Sequence, residues 1–183
     1  MLIEPREFQW NNQKIQIRSA LPEDAAKLKE HRGATSAETY FMARYPEDGG
    51  FELDKIRCGV EDMRDSERSF TVSAFLADEM VGDLGVTSVR PHIKYLHRAY
   101  LGMSIRHEFT GKGLGSHMLE IALDQAGKNG FEQVELGVFD DNERAIGLYK
   151  KFGFKEYGRS PRAFKLKDGS YRDEIIMVKM IRL

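Results

Sequence analysis

From Phe70 onward apolar side chains recur at every second position, in Phe70–Leu76, Met80–Ser88 and Arg98–Ile105, the period of a strand with one face in a core. A tight turn at Ala77-Asp78-Glu79 joins the first two segments, and a longer loop through Pro91 joins the second to the third. Strands linked so directly form an antiparallel sheet. The period then changes, because Leu114, Met118, Ile121 and Ala122 fall at helical spacing before a stop near Gly127–Gly130. A strand over Gln133–Phe139 and a helix from about Asn142 to Lys151 follow. Two extended segments, Phe154–Leu166 and Tyr171–Ile181, close the chain, joined by the hairpin turn Asp168-Gly169.

Upstream, Ile15 and Ile17 alternate with polar residues in a short strand, Lys14–Arg18. Pro22 opens a helix to about Arg32, with Glu23 and Asp24 in the first turn where the helix dipole favours them. Ala37–Tyr45 and Leu53–Met63 read as short helices flanking a loop at Pro46–Gly50. No internal repeat, low-complexity run or linker interrupts the chain, so one domain over residues 1–183 is expected, its motif-bearing core from about residue 70.

Between the third strand and the helix at Leu114 lie Thr110, Gly111, Lys112, Gly113, Leu114, Gly115 and Ser116. Glycines at alternate positions let the backbone adopt conformations closed to other residues and bring its N–H groups close to a ligand. They stand at the positive end of a helix dipole, so the segment reads as a phosphate cradle. By itself a glycine cluster is as readily a flexible turn. A P-loop spacing is absent, and G-x-G-x-G with Ser116 in the last position departs from the G-x-G-x-x-G of dinucleotide folds, whose strands would also alternate with helices.

Composition narrows the field. The 183 residues are 41% hydrophobic and 31% charged, with 28 basic and 29 acidic side chains for a net charge of −1, which argues against a general nucleic-acid binder. No apolar run of membrane-spanning length and no signal-peptide pattern at Met1–Trp10 is present, so neither membrane insertion nor export is expected. Cys58 is the single cysteine; it excludes an internal disulfide and a cysteine-based zinc site, fits a cytoplasmic setting, and reads as a semi-buried, inert thiol. No metal is expected.

A second constellation runs Asn142-Glu-Arg-Ala-Ile-Gly-Leu-Tyr149, followed by Gly153-Phe154. Seven residues at about 100° each bring Tyr149 to within about 20° of Asn142 on one helix face, with small Ala145 between them. Either residue alone reads as structural, Asn142 as an N-cap and Tyr149 as a packed aromatic. Together, some thirty residues past a glycine cradle, they point to a ligand.

At this point the chain resembles the GNAT superfamily of N-acetyltransferases, over Ile15–Met180 and most specifically over Gly102–Phe154. The family's Gln/Arg-x-x-Gly-x-Gly/Ala motif falls on Thr110-Gly-Lys-Gly113-Leu-Gly115, with Thr110 as the departure, and Asn142, Ala145, Tyr149 and Gly153-Phe154 match its second segment. The resemblance implies an α/β (α+β) fold, a mixed and mostly antiparallel twisted sheet of about seven strands flanked by helices. It implies acetyl-CoA as cosubstrate, its pyrophosphate on residues 110–116 near Asn142. Met103, Ser104 and Ile105 would pair with the pantetheine arm and give an amide to the thioester oxyanion. Tyr149 would protonate the departing thiolate.

The acceptor is then an amine, which must lose a proton before it attacks. Family members place a carboxylate on the strand equivalent to Arg98–Ile105, where this chain has none and Tyr100 holds the corresponding position. Glu135, read as a solvent-exposed strand residue, His97, His107 or a water chain are the alternatives. The leading function is acetylation of a small-molecule primary amine. Acetylation of a protein N-terminus or lysine would need an open groove beside Ala37–Met63, and a non-catalytic coenzyme A binding module would not need Tyr149. Glu47, Asp48, Glu61, Asp62 and Asp65 would attract a cationic acceptor, opposed by Arg159, Arg162, Lys165 and Lys167. A homodimer is compatible with all of these readings.

Overall fold

A computed structural model of the chain describes residues 1–50 and 52–181. Strands β1 (Arg6–Trp10), β2 (Gln13–Arg18), β3 (Phe70–Leu76), β4 (Glu79–Ser88), β5 (Arg98–Ile105), β6 (Gln133–Phe139), β7 (Lys155–Lys165) and β8 (Tyr171–Met180) form one sheet in the order β1-β2-β3-β4-β5-β6-β8-β7. Every neighbouring pair is antiparallel except β5 and β6. That exception follows from the connection: a parallel return needs a crossover, supplied here by helix α3 (Leu114–Lys128).

Helices cover both faces. On one, Leu114, Met118, Leu119, Ala122 and Ala126 of α3, with Tyr149 of α4 (Glu143–Lys151), pack on Val72, Leu84, Leu101, Val134, Leu136 and Met177. On the other, Leu28 of α1 (Ala25–Glu38) and Ile56 and Val60 of α2 (Leu53–Asp65) bury Phe75 and Met80 in a smaller cluster. The period-2 and period-3.6 stripes of the sequence thus meet across the sheet.

The eighth strand is β1. Only Phe8 and Trp10 alternate there among exposed polar residues, too short a pattern to announce a strand, yet an Asn11-Asn12 turn with Asn11 at φ 50° folds it onto β2. At Pro22–Asp24 the expected helix start is a 3₁₀ turn, fixed by buried Asp24, which accepts from the Leu21 amide (2.9 Å) and from both Arg18 nitrogens (2.6 and 3.0 Å). Helix α1 itself runs past Arg32 to Glu38, while Thr39–Tyr45, expected as helix, is not helical. Tertiary packing overrides local propensity here, because Tyr40 and Phe41 leave the helix to lie edge-on to Phe139, with centroids 6.1 and 5.7 Å away. Cys58, expected to be semi-buried, is exposed on α2.

Leu119 is fully buried where α3 crosses the sheet. Leu119→Ala is expected to lower the free energy of unfolding by about 2–5 kcal/mol, read as a lower denaturant midpoint at unchanged slope. An unchanged midpoint would contradict this packing.

Candidate active site

Strands β5 and β6 are hydrogen-bonded over only three pairs, Arg98↔Gln133, Ala99↔Val134 and Tyr100↔Glu135. Beyond them β5 continues to Ile105 and β6 to Phe139 without a ladder between them, while their outer edges stay paired to β4 and β8. The strands open into a wedge. At its apex the Gly137 amide donates to the Tyr100 hydroxyl (3.1 Å), so a side chain stands in for the missing strand partner. Along β5, every second residue from Leu101 to Ile105 turns its backbone N–H and C=O into the gap.

The glycine segment lies at the wide end of the wedge. Gly111 and Gly113 hold φ of 72° and 92°, and Gly113 caps α3 with no side-chain cap. The first intrahelical bond runs from the His117 amide to the Gly113 carbonyl (3.1 Å), which leaves the amides of Leu114, Gly115 and Ser116 without helical partners. A Cβ on Gly111 would meet nothing within 4 Å, so the cradle is open. Gly115 serves packing: a Cβ there would lie 3.1 Å from Ile105 Cδ1 and 3.4 Å from Leu148 Cδ2, so its absence lets α3 start against β5 and α4. Lys112 places its ammonium 4.8 Å from the Trp10 ring centroid. Thr110 Oγ1 donates to the His107 carbonyl (2.7 Å) and accepts from Arg144 Nη1 (2.6 Å). A guanidinium from α4 therefore stands where the glycine motif itself lacks an Arg or Gln, a residue that motif spacing alone does not single out.

Asn142 Oδ1 accepts from the Ala145 amide (3.2 Å), so this side chain is the N-cap of α4. Tyr149, 6% exposed, packs on Phe154 with its ring centroid 5.6 Å away. Burial, and secondarily the Tyr100 hydroxyl nearby, push its pKa up to about 12, so the phenol keeps its proton at neutral pH. Burial likewise raises the pKa of Tyr100, and the Glu174 carboxylate adds to the effect.

Glu135 is not exposed. At 5% exposure it is gripped by Arg98 Nε and Nη2 (2.6 and 2.8 Å), Gln133 Nε2 (2.8 Å) and the Tyr157 hydroxyl (3.1 Å). The Arg98 hydrogen bonds hold its carboxyl below the usual range against the opposing effect of burial, which makes it a poor proton acceptor. His97 sits at the closed end of the strand pair, its carbonyl taking the Glu132 and Gln133 amides, and His107 lies in an exposed turn before the glycines. Neither hydrogen-bonds Tyr100 or Tyr149 among the described residues. A carboxylate that the sequence reading passed over does reach the apex. Glu174 of β8 folds over Gly137, where a Cβ would overlap its carboxylate and come within 3.1 Å of the Tyr100 hydroxyl. No local spacing signals this approach, which depends on the β6–β8 register.

Next to the apex an aromatic wall continues, Phe139 stacked on Phe164 (3.8 Å, 11°) with Tyr40 and Phe41 at its edge. The Thr39–Gly50 stretch is pinned over it. Tyr40 donates to Asp141 Oδ2 (2.6 Å), which Arg172 Nε also reaches (2.5 Å), and Lys167 pairs with Glu47 and lies 4.1 Å over the Tyr45 ring. Beneath it is a cavity of about 210 Å³, lined by Met42, Tyr45, Phe139, Phe164 and Leu166 among others. Two members of the expected acidic cluster are neutralised, Glu47 by Lys167 and Asp65 by Arg64, while Asp48 caps the Tyr45 amide. Among the described residues no helix is long and apolar enough to cross a membrane, and no three His, Cys, Asp or Glu side chains converge as metal ligands would.

A model of the Acetyltransferase (GNAT) family matches residues 28–154. A solved acetyltransferase of the GNAT family from Streptococcus pneumoniae superposes with a TM-score of 0.86 at 29% identity, covering 91% of this chain and 99% of that one. The structure of yncA from Salmonella typhimurium, determined with its cofactor acetyl-CoA, superposes at 0.80 with 19% identity over 92% and 94% of the two chains. The L-amino acid N-acetyltransferase AaaT of Escherichia coli K12 is 27% identical over 108 residues, 58% of this chain and 65% of its own. Matches to curated relatives span part of their lengths, 25% in an uncharacterised Mycobacterium leprae protein.

The Glu135 network makes a pH-dependent prediction. A carboxyl whose folded pKa lies below its unfolded value stabilises the fold above the unfolded value, 4.5, and the contribution is lost as pH falls through the folded one. Glu135→Gln is expected to cost about 1–3 kcal/mol at neutral pH, with the gap to the parent protein narrowing on acidification. Denaturant titrations across pH that kept a constant gap would refute it.

Proposed function

The chain belongs to the GNAT acetyltransferase family, and from that premise we propose that it transfers an acetyl group from acetyl-CoA to the primary amine of a small molecule. The observation that carries this reading is the open β5–β6 wedge, bordered by the unpartnered amides of the α3 N-terminus, with a buried, protonated Tyr149 near Tyr100 of its apex.

The residues suit the cosubstrate. Free amides at Gly111–Ser116, the α3 dipole and Arg144 present donors and positive charge to a pyrophosphate, and the open space at Gly111 leaves room for one. Asn142, whose Oδ1 caps the start of α4, would lie beside the pyrophosphate in this reading. The free edge of β5 at Met103 and Ile105 offers backbone partners to the amide-bearing pantetheine arm, while Ser104 between them turns its backbone to β4, and one amide of that edge receives the carbonyl oxygen as it gains charge. Bound acetyl-CoA supplies the thioester carbon that the amine attacks. Tyr149 gives its proton to the departing sulfur. A cytosolic setting suits the single reduced cysteine.

A small acceptor is favoured by the closure over the aromatic wall. Tyr40–Asp141 and Glu47–Lys167 hold the Thr39–Gly50 stretch against the β7–β8 hairpin, which leaves a small, half-open cavity where a peptide substrate would require a long groove. The relative AaaT, an L-amino acid N-acetyltransferase by name, agrees in acceptor size and chemistry. Thiol release from acetyl-CoA, measured with a panel of amines, amino acids and peptides, tests the reading: turnover of small amines is expected. Turnover of peptides alone would move the acceptor to a protein, and tight coenzyme A binding with no turnover would leave a binding module.

Two substitutions separate binding from chemistry. Gly113→Val forces a β-branched residue into the φ 92° conformation that shapes the cradle and sets its Cβ against Phe8, so it is expected to raise the acetyl-CoA dissociation constant at least about tenfold, with calorimetry on the folded variant as the check. Tyr149→Phe keeps the packed ring and removes the proton donor, so kcat is expected to fall about 10- to 1000-fold at nearly unchanged acetyl-CoA affinity. Full kcat with chemistry limiting would show that the thiolate leaves unassisted.

A further inference from the structure

Within the acetyltransferase reading, on which this step rests, we infer that Glu174 is the general base that takes the proton from the attacking amine. The carboxylates near the wedge are Glu135, Asp140, Asp141, Asp173 and Glu174, and four of them are already occupied. Glu135 is held by Arg98, Gln133 and Tyr157, and Asp141 by Tyr40 and Arg172 through Oδ2, its Oδ1 being buried without a donor. Asp140 accepts from the Asp173 amide and faces Arg159, while Asp173 accepts from the Arg162 amide and Arg159. Glu174 alone has no donor on its carboxylate among the described residues. It is also the one folded over Gly137 toward Tyr100, at the apex of the wedge, half-buried and with both oxygens available.

Gly137 explains how a residue two strands from β5 gets there. In the sheet, Glu174 lies opposite Phe139 on the face that carries Glu135 and Tyr100, and a side chain at position 137 would occupy the space its carboxylate takes. The missing Cβ opens a lane across β6. The titratable groups around that lane are Tyr100 from β5, Glu135 from β6, Tyr157 from β7 and Tyr149 from α4, and the first three either stay protonated or are held in ion pairs. Tyr149 packs in the core on the α3–α4 side of the sheet, close enough to Tyr100 to be influenced by its hydroxyl, so proton acceptor and proton donor approach the apex from opposite faces.

The step balances without any further reagent. An ammonium substrate loses one proton to a Glu174 oxygen, and the freed nitrogen lone pair forms the C–N bond. The C–S bond breaks with its electron pair on sulfur, which takes the Tyr149 proton. The second proton leaving nitrogen restores the phenol, and Glu174 passes its own to solvent, so the products are the amide, the thiol and one released proton.

Glu174→Gln preserves size and removes only basicity. With an amine that the parent protein turns over, kcat/KM at neutral pH is expected to fall about 10²- to 10⁴-fold. Calorimetric acetyl-CoA affinity and thermal midpoint should stay at the parent values. The variant's deficit should shrink at alkaline pH, where the amine arrives unprotonated. Gly137→Ala, which crowds the carboxylate without removing it, should also lower kcat/KM. A Glu174→Gln protein with parental turnover, or one whose deficit is the same at every pH, would overturn the assignment and leave the acetyltransferase reading standing. A parent protein that turns over no amine would remove both.

Discussion

A backbone amide that leaves a sheet without reaching water must find another partner, and the geometry of the site follows from how β5 and β6 meet that demand. Their ladder ends at Tyr100↔Glu135. The next β6 amide facing the gap, that of Gly137, is satisfied by the Tyr100 hydroxyl, which closes the apex with a side chain. The separation persists because both outer edges are fully engaged, β5 by β4 from Ile105 to Ala99 and β6 by β8 from Gln133 to Phe139. Neither strand can move inward without breaking those pairs. The wedge is therefore a rigid slot lined on one side by free backbone donors and acceptors, the preorganised form that electrostatic stabilisation of a developing charge needs.

The glycine segment completes the slot through packing as much as through its own conformation. Gly115 allows the first turn of α3 to press on Ile105, so the helix begins where β5 ends and its amides point along the gap. Strand β1 supports the same turn from outside: the Phe8 ring lies beside Gly113 and stacks near His117, and Trp10 packs on Phe109 and under Lys112. The least conspicuous strand in the sequence thus buttresses the cradle.

The elements that depend on local periodicity were legible. Phe70–Leu76, Arg98–Ile105 and Gln133–Phe139 match the alternation to the residue, and the glycine-to-helix junction falls at Leu114. Those that depend on distant partners were not. Thr39–Tyr45 carries helical residues but is drawn out by Phe139 and Asp141, a hundred positions away. Glu135 alternates like a half-exposed strand residue, and its burial arises because Arg98 converges on it from adjacent β5 and Tyr157 from β7, two strands away. Arg144 and Glu174 lack a signature in their own neighbourhoods, since one is brought to the glycines by α4 and the other to Tyr100 by the β6–β8 register.

Acid–base chemistry in one narrow slot raises the problem of mutual neutralisation, because a carboxylate beside a phenol in a low-dielectric site competes for its proton. Here the competition is one-sided. Burial drives the Tyr149 pKa up to about 12, so transfer of its proton to a ground-state carboxylate is strongly unfavourable. In the proposed reaction the proton would move only to a base stronger than a resting carboxylate, the sulfur that gains an electron pair as the C–S bond breaks. Tyr100 lies between the two, its hydroxyl oxygen accepting from Gly137 and its own pKa raised by burial, which keeps it neutral. Under the proposed roles, this neutral phenol would separate the donor on the helical side of the sheet from the acceptor on the aromatic side, so that each could hold the protonation state its step requires.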